Sequence, residues 1–113
     1  MNADIANWTR IGVLDDIPRQ GSRKVRAGAM TIAVFRNADD RVFALEDKCP
    51  HKNGPLSQGI VHGDCVTCPL HNWVISLETG MAQGADEGET PAFRVRLDGQ
   101  DIYLDLSTNL AAV

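Results

Sequence analysis

Two short segments carry residue types able to hold a soft metal centre: Cys49-Pro50-His51 and Cys68-Pro69-Leu70-His71. Each supplies one thiolate and one imidazole, and sixteen residues (52–67) separate them. Loops tipped in this way can grip a metal from two sides. Four such donors suit tetrahedral zinc or a [2Fe–2S] cluster. A structural zinc finger usually pairs cysteine with cysteine and histidine with histidine. Here each loop mixes the two, which fits a pair of irons better, with two thiolates on one and two imidazoles on the other. Neutral imidazoles take negative charge off such a cluster, so its reduced state costs less. The potential then rises to about −150 to +300 mV, from about −400 mV for plant-type ferredoxins.

The elements that must position these loops read as strands. Glycine and proline punctuate the chain, and no long stretch has helical periodicity. Residues 22–36 predict one or two strands, 37–40 a turn and 41–46 the returning strand. Phe93, Val95 and Leu97 alternate with polar residues, Asp98-Gly99 opens a tight turn, and Ile102, Leu104 and Leu106 alternate on the partner strand. Trp73, Ile75 and Leu77 share the period of two, which ends at Thr79-Gly80. Between residues 47 and 72 the pattern breaks into two proline-bearing loops around Gly59-Ile60-Val61, and all three cysteines and all three histidines fall there. Residues 14–18 suggest a short helical turn before a proline stop, and 107–113 a loosely held tail. The expectation is an all-β chain forming one domain over residues 1–113, with cluster-binding loops at about 47–73.

Composition narrows the class. The 113 residues suit one compact domain, and a hydrophobic share of 43% argues against disorder. A formal charge of −4 does not suit a nucleic-acid binder. No run approaches the roughly 18–20 apolar residues needed to cross a bilayer. The start, Met1-Asn2-Ala3-Asp4-Ile5-Ala6, lacks a basic and then apolar leader, so a cytoplasmic location is expected, without membrane association. Three cysteines, an odd number, fit metal binding better than a disulfide framework.

C-x-H followed by C-x-x-H at this separation resembles the Rieske signature, and the words around it agree: Cys49-Pro50-His51-Lys52, Gly54-Pro55-Leu56 and Cys68-Pro69-Leu70-His71-Asn72-Trp73. The likeness covers nearly the whole chain. It sharpens toward the small subunit of the cytoplasmic NAD(P)H-dependent assimilatory nitrite reductase through Gly59-Ile60-Val61-His62-Gly63, Asn72-Trp73-Val74-Ile75 and Gly84-Ala85-Asp86-Glu87-Gly88. The resemblance implies an antiparallel β-sandwich with a small cluster-binding subdomain, and a Rieske [2Fe–2S] cluster on Cys49, His51, Cys68 and His71. It implies a non-catalytic electron-transfer subunit whose large partner carries flavin, a [4Fe–4S] cluster and sirohaem and reduces nitrite to ammonium. A Rieske-type ferredoxin feeding an aromatic-ring dioxygenase is the alternative, and a structural zinc module a third. Relatives in respiratory complexes join the two loops by a disulfide. The matching places here hold Lys52, Asn53, Gly54 and Leu70, so the low-potential soluble branch is implied.

Other residues receive plainer readings. Pro50 and Pro69 stiffen the loops, and Gly54 and Gly63 allow tight turns. Backbone N–H groups are expected to face the cluster sulfurs, and the free edges of His51 and His71 to be the exit for an electron. Asn53 stands where relatives often have glycine. Cys65-Val66-Thr67-Cys68 has a dithiol spacing but sits in a strand pattern, so Cys65 reads as a small buried strand residue. His62 reads as a surface residue, Trp73 as a wall beside the cluster and Trp8 as core. Lys52 either docks a partner or lies in solvent. The acidic run Asp86-Glu87-Gly88-Glu89 reads as a solvated loop or a contact patch.

Overall fold

The most apolar stretch of the chain becomes a strand buried on both faces. The computed structural model describes residues 8–50, 54–70, 72–84 and 88–109, with side chains up to Asp105. Its strands are β1 (Trp8–Val13), β2 (Gly21–Ala27), β3 (Met30–Arg36), β4 (Val42–Glu46), β5 (Ile60–His62), β6 (Cys65–Thr67), β7 (Val74–Ser76), β8 (Ala92–Asp98) and β9 (Asp101–Asn109). Short 3₁₀ turns occupy Leu14–Asp16 and Leu56–Gln58. A six-stranded sheet runs β1-β9-β8-β4-β3-β2, and a three-stranded sheet runs β5-β6-β7. Every pairing between these strands is antiparallel, as an all-β reading requires.

Successive side chains of β3 point to opposite faces. Ile32 and Val34 join Ile17, Ala44, Phe93, Ile102 and Leu104 in one core. Ala33 and Phe35 join Phe43, Leu45, Leu56, Val66 and Ile75 in a second, which also holds Cys49 and Cys68. A strand between two cores shows a continuous apolar run instead of alternation. The large sheet curls, and its opposite edge strands meet where Arg23 Nη1 on β2 donates to the Ile11 carbonyl on β1 at 2.7 Å. The small sheet lies against the other face and carries the second cysteine.

Polar contacts lock the small sheet in place. Asn37 is buried; its side-chain oxygen accepts from the amides of Asp39 and Arg41, both at 2.9 Å, which shapes the β3–β4 turn. Its Nδ2 donates to Asp64 Oδ1 at 2.9 Å, in the turn between β5 and β6. Arg41 bridges Asp64 and Glu78 at 3.0 and 3.3 Å, across the ends of the small sheet.

Several sequence expectations are corrected. Residues 107–109 are not a loose tail: they extend β9, and Asn109 pairs with Phe93. Residues 110–113 lie outside the described residues. β1 had no alternating signal, because a bulge interrupts its register between Arg10 and Gly12. Trp8 is only half-buried on β1, with the Arg96 guanidinium 5.9 Å from its ring. Leu97 is exposed, so the buried face of β8 fades toward the hairpin.

Candidate metal centre

The two cysteine loops share one closure. The Cys49 amide donates to the Gly54 carbonyl at 2.8 Å, and the Cys68 amide donates to the Trp73 carbonyl at 2.7 Å. Each bond returns the chain to its cysteine five residues on and seals a six-residue loop. The first loop leaves β4 and leads into the 3₁₀ turn Leu56–Gln58. The second leaves β6 and leads into β7. The β5–β6 hairpin between them turns at Gly63, whose φ of +56° is the left-handed geometry that glycine adopts without strain.

Both loops place their thiol inside the second core. Cys49 and Cys68 are fully buried, unbridged, and in side-chain contact with each other. Burial pushes the Cys68 thiol up to about 11, and Cys49 beside it adds to the rise. The Leu70 amide pulls the other way by donating to Cys68 Sγ at 3.4 Å. A thiol in such surroundings gives up its proton readily only to a cation that replaces it. Gly54 makes room here. A Cβ at this position would lie 3.0 Å from Cys68 Sγ and 3.0 Å from Leu70 Cδ1. Its value is therefore space beside the sulfur at the closure of the loop, and its φ is not positive. Two paired buried thiols in a cradle that a methyl group would crowd fit a thiolate-bound metal centre.

The remaining site residues divide clearly. His51 and His71 lie outside the described residues, as do Lys52, Asn53, Asp86 and Glu87. Among the described residues no three potential metal donors come together; of the four residues expected to bind a cluster, Cys49 and Cys68 are the two described. Cys65 lies on β6 opposite Ser76 and is half-buried rather than buried. Burial, then the charges of Asp64 and Glu78, push its thiol up, away from the thiolate form that dithiol chemistry uses. His62 is exposed on β5, its Nε2 2.7 Å from Thr67 Oγ1. Trp73 packs against the core that holds both cysteines, and a Cβ at Gly88 would lie 3.7 Å from its ring. Asn72 is a residue that the motif alone did not single out. It takes φ +58° between His71 and Trp73, and asparagine is among the few residues that visit this region readily.

Comparison with known proteins gives this geometry a family. Residues 7–105 match the Rieske-like [2Fe-2S] domain. The chain is 37% identical over 100 residues to the anthranilate 1,2-dioxygenase ferredoxin subunit of Burkholderia cepacia, covering 87% of this chain and 92% of that one. A solved complex of reduced oxygenase and oxidized ferredoxin in carbazole 1,9a-dioxygenase contains a chain matched with TM-score 0.78 and 28% identity, covering 89% of this chain and 94% of that one. A structure described as a nitrite reductase NADPH small subunit matches with TM-score 0.77 and 27% identity, covering 87% and 97%. With its antiparallel sheets, its paired cysteine loops and this match over most of its length, the chain belongs to the Rieske-like [2Fe–2S] domain family.

Proposed function

We propose that Cys49 and Cys68 hold one iron of the [2Fe–2S] cluster and His51 and His71 the other, and that the chain, a single domain over residues 1–113, is a ferredoxin passing single electrons to an aromatic-ring oxygenase. The observation that carries this reading is the buried thiol pair at the heads of two equally closed loops. It occurs in a chain that matches a dioxygenase ferredoxin subunit over 92% of that subunit's length. When bound, the cluster supplies reversible one-electron exchange in the Rieske range of potential.

The chain's own residues set the conditions for that exchange. The second core and Trp73 keep water from the sulfur side. The Leu70 N–H aimed at Cys68 Sγ favours added negative charge there and so raises the potential. Leu70, 41% exposed, brings the second loop to the surface and leaves a partner a short approach to the centre. Among the described residues no helix is long and apolar enough to cross a membrane.

A second reading has specific support. The nitrite reductase small-subunit structure matches at 27% identity, and the segments around Gly59 and Trp73 resemble that subunit. On this reading the partner is a large subunit with flavin, a [4Fe–4S] cluster and sirohaem. One experiment separates the two. The chemically reduced protein is mixed with the oxygenase component of a ring dioxygenase and its aromatic substrate, and separately with a sirohaem-bearing nitrite reductase large subunit, NAD(P)H and nitrite. Reoxidation coupled to hydroxylated product supports the ferredoxin. Stimulated nitrite-dependent NAD(P)H oxidation with no hydroxylation overturns it in favour of the second reading.

A further inference from the structure

One side chain outside the donor set ties the first cysteine loop to the body of the fold. Asp47 directly follows the residue that ends β4, and its amide donates to the Thr31 carbonyl on β3 at 2.9 Å. Both of its carboxylate oxygens are taken by Ser57, ten residues further on. The Ser57 amide donates to Oδ1 at 2.7 Å, and the Ser57 hydroxyl donates to Oδ2 at 2.8 Å. Ser57 is held in turn by β2, because the Ser22 hydroxyl donates to the Ser57 carbonyl at 2.5 Å. The base of the segment 47–57 is thus closed by a carboxylate and bolted to two strands of the large sheet. Cys49 lies two residues inside this clamp, and its amide makes the inner closure to Gly54.

The chemistry favours a carboxylate in this place. Hydrogen bonds to an ionised acceptor are shorter and roughly twice as strong as neutral ones. Using both oxygens on one residue fixes orientation as well as distance. A helix-capping acid would serve its own turn from a few residues away, whereas Asp47 reaches across the whole loop to the middle of the 3₁₀ turn Leu56–Gln58. The second loop is closed by backbone, through Cys68 and Trp73.

We propose that Asp47 is a positioning residue of the metal centre, holding Cys49 against Cys68 by clamping the first loop through Ser57. The inference rests on the reading of Cys49 as an iron ligand. It concerns the lifetime and symmetry of the bound cluster and goes beyond the identity of the ligands.

The test uses the full chain loaded with its cluster, comparing Asp47→Ala, Asp47→Asn, Ser57→Ala and the Asp47→Ala/Ser57→Ala double variant. Three quantities are followed: the rate of bleaching by an iron chelator, the electron paramagnetic resonance spectrum of the reduced protein, and the melting temperature of the cluster-free chain. Asp47→Ala loses its cluster about tenfold faster than the parent and shifts the spectrum, as outer-shell changes at metal sites do. Ser57→Ala also bleaches faster, and the double variant bleaches no faster than Asp47→Ala, because the two side chains act as one unit. Asp47→Asn keeps an acceptor for the Ser57 amide and recovers part of the lifetime. A parental lifetime and spectrum in Asp47→Ala, or strictly additive losses in the double variant, overturns the proposal. So does a fall in melting temperature of the cluster-free chain with no change of spectrum. If Asp47→Ala does not fold, Ser57→Ala and Asp47→Asn carry the same test. A separate control, Cys49→Ala, must abolish the cluster; its retention there overturns the ligand reading itself, whatever the clamp does.

Discussion

At the scale of single residues, the centre depends on what is left out as much as on what is present. Gly54 contributes no side chain, and that is its role beside Cys68. Gly54→Ala inserts a methyl group 3.0 Å from the sulfur and from Leu70 without any penalty from φ. It is expected to lower iron per chain after reconstitution and to cost about 1–3 kcal/mol in denaturant unfolding, as overpacking does. Cys65→Ser is the opposite case. The thiol is half-buried on β6, outside the core that holds Cys49 and Cys68, so the visible absorption of the loaded protein should not change. Asp40 offers a test in pH. The hydrogen bond from Arg36, aided by Arg19, holds its carboxyl below the ordinary value of 3.8. A depressed native value means that its contribution is present above 3.8 and is lost as the pH falls through the lower native value. Asp40→Asn should therefore melt below the parent at about pH 6 and converge with it at about pH 2. Asparagine also tolerates the φ of +64° found at Asp40, so the backbone is not a second variable. The cysteines could be read from the sequence because their chemistry is rare and their spacing short. Asp47 could not, because an acid before a loop looks solvated until its partner ten residues away is brought to it.

At the scale of elements, pattern was readable where one rule governed a strand. The run 32–35 is apolar throughout because two cores claim its two faces, and the turn at residues 37–40 follows from Asn and Asp chemistry. β1 and the end of β9 escaped notice for a shared reason. Each is recruited to the sheet by pairing, with bulges at Arg10/Gly12 and at Phe93/Arg94, and neither carries a regular apolar period of its own. Asn37 marks the joint between the sheets. Asn37→Ala removes acceptors for two amides and the donor to Asp64 at a site with almost no exposure. A loss of about 2–3 kcal/mol is expected, from buried amides left without partners. Equilibrium unfolding in urea checks it; a change below about 0.5 kcal/mol, the scale of an ordinary surface substitution, would mean the joint is not structural.

At the scale of the whole molecule, a curled six-stranded sheet supplies the body, and a three-stranded sheet on one face leads into the second cysteine loop, whose thiol joins that of Cys49 in one core. The family and the antiparallel fold were readable from the sequence, because the motif and the strand pattern agree. Choosing between oxygenase and nitrite reductase partners was not, because the chain is similar to proteins described as serving either. The central claim is that two sulfurs bind one iron and two ring nitrogens the other. Pulsed electron paramagnetic resonance on the reduced protein, grown with ¹⁵N-histidine, reads this directly. The spectrum should show two strongly coupled histidine nitrogens that change isotope with the label. A reduced cluster with no histidine nitrogen coupled to it, or a colourless zinc-bound protein with no signal, would contradict the account.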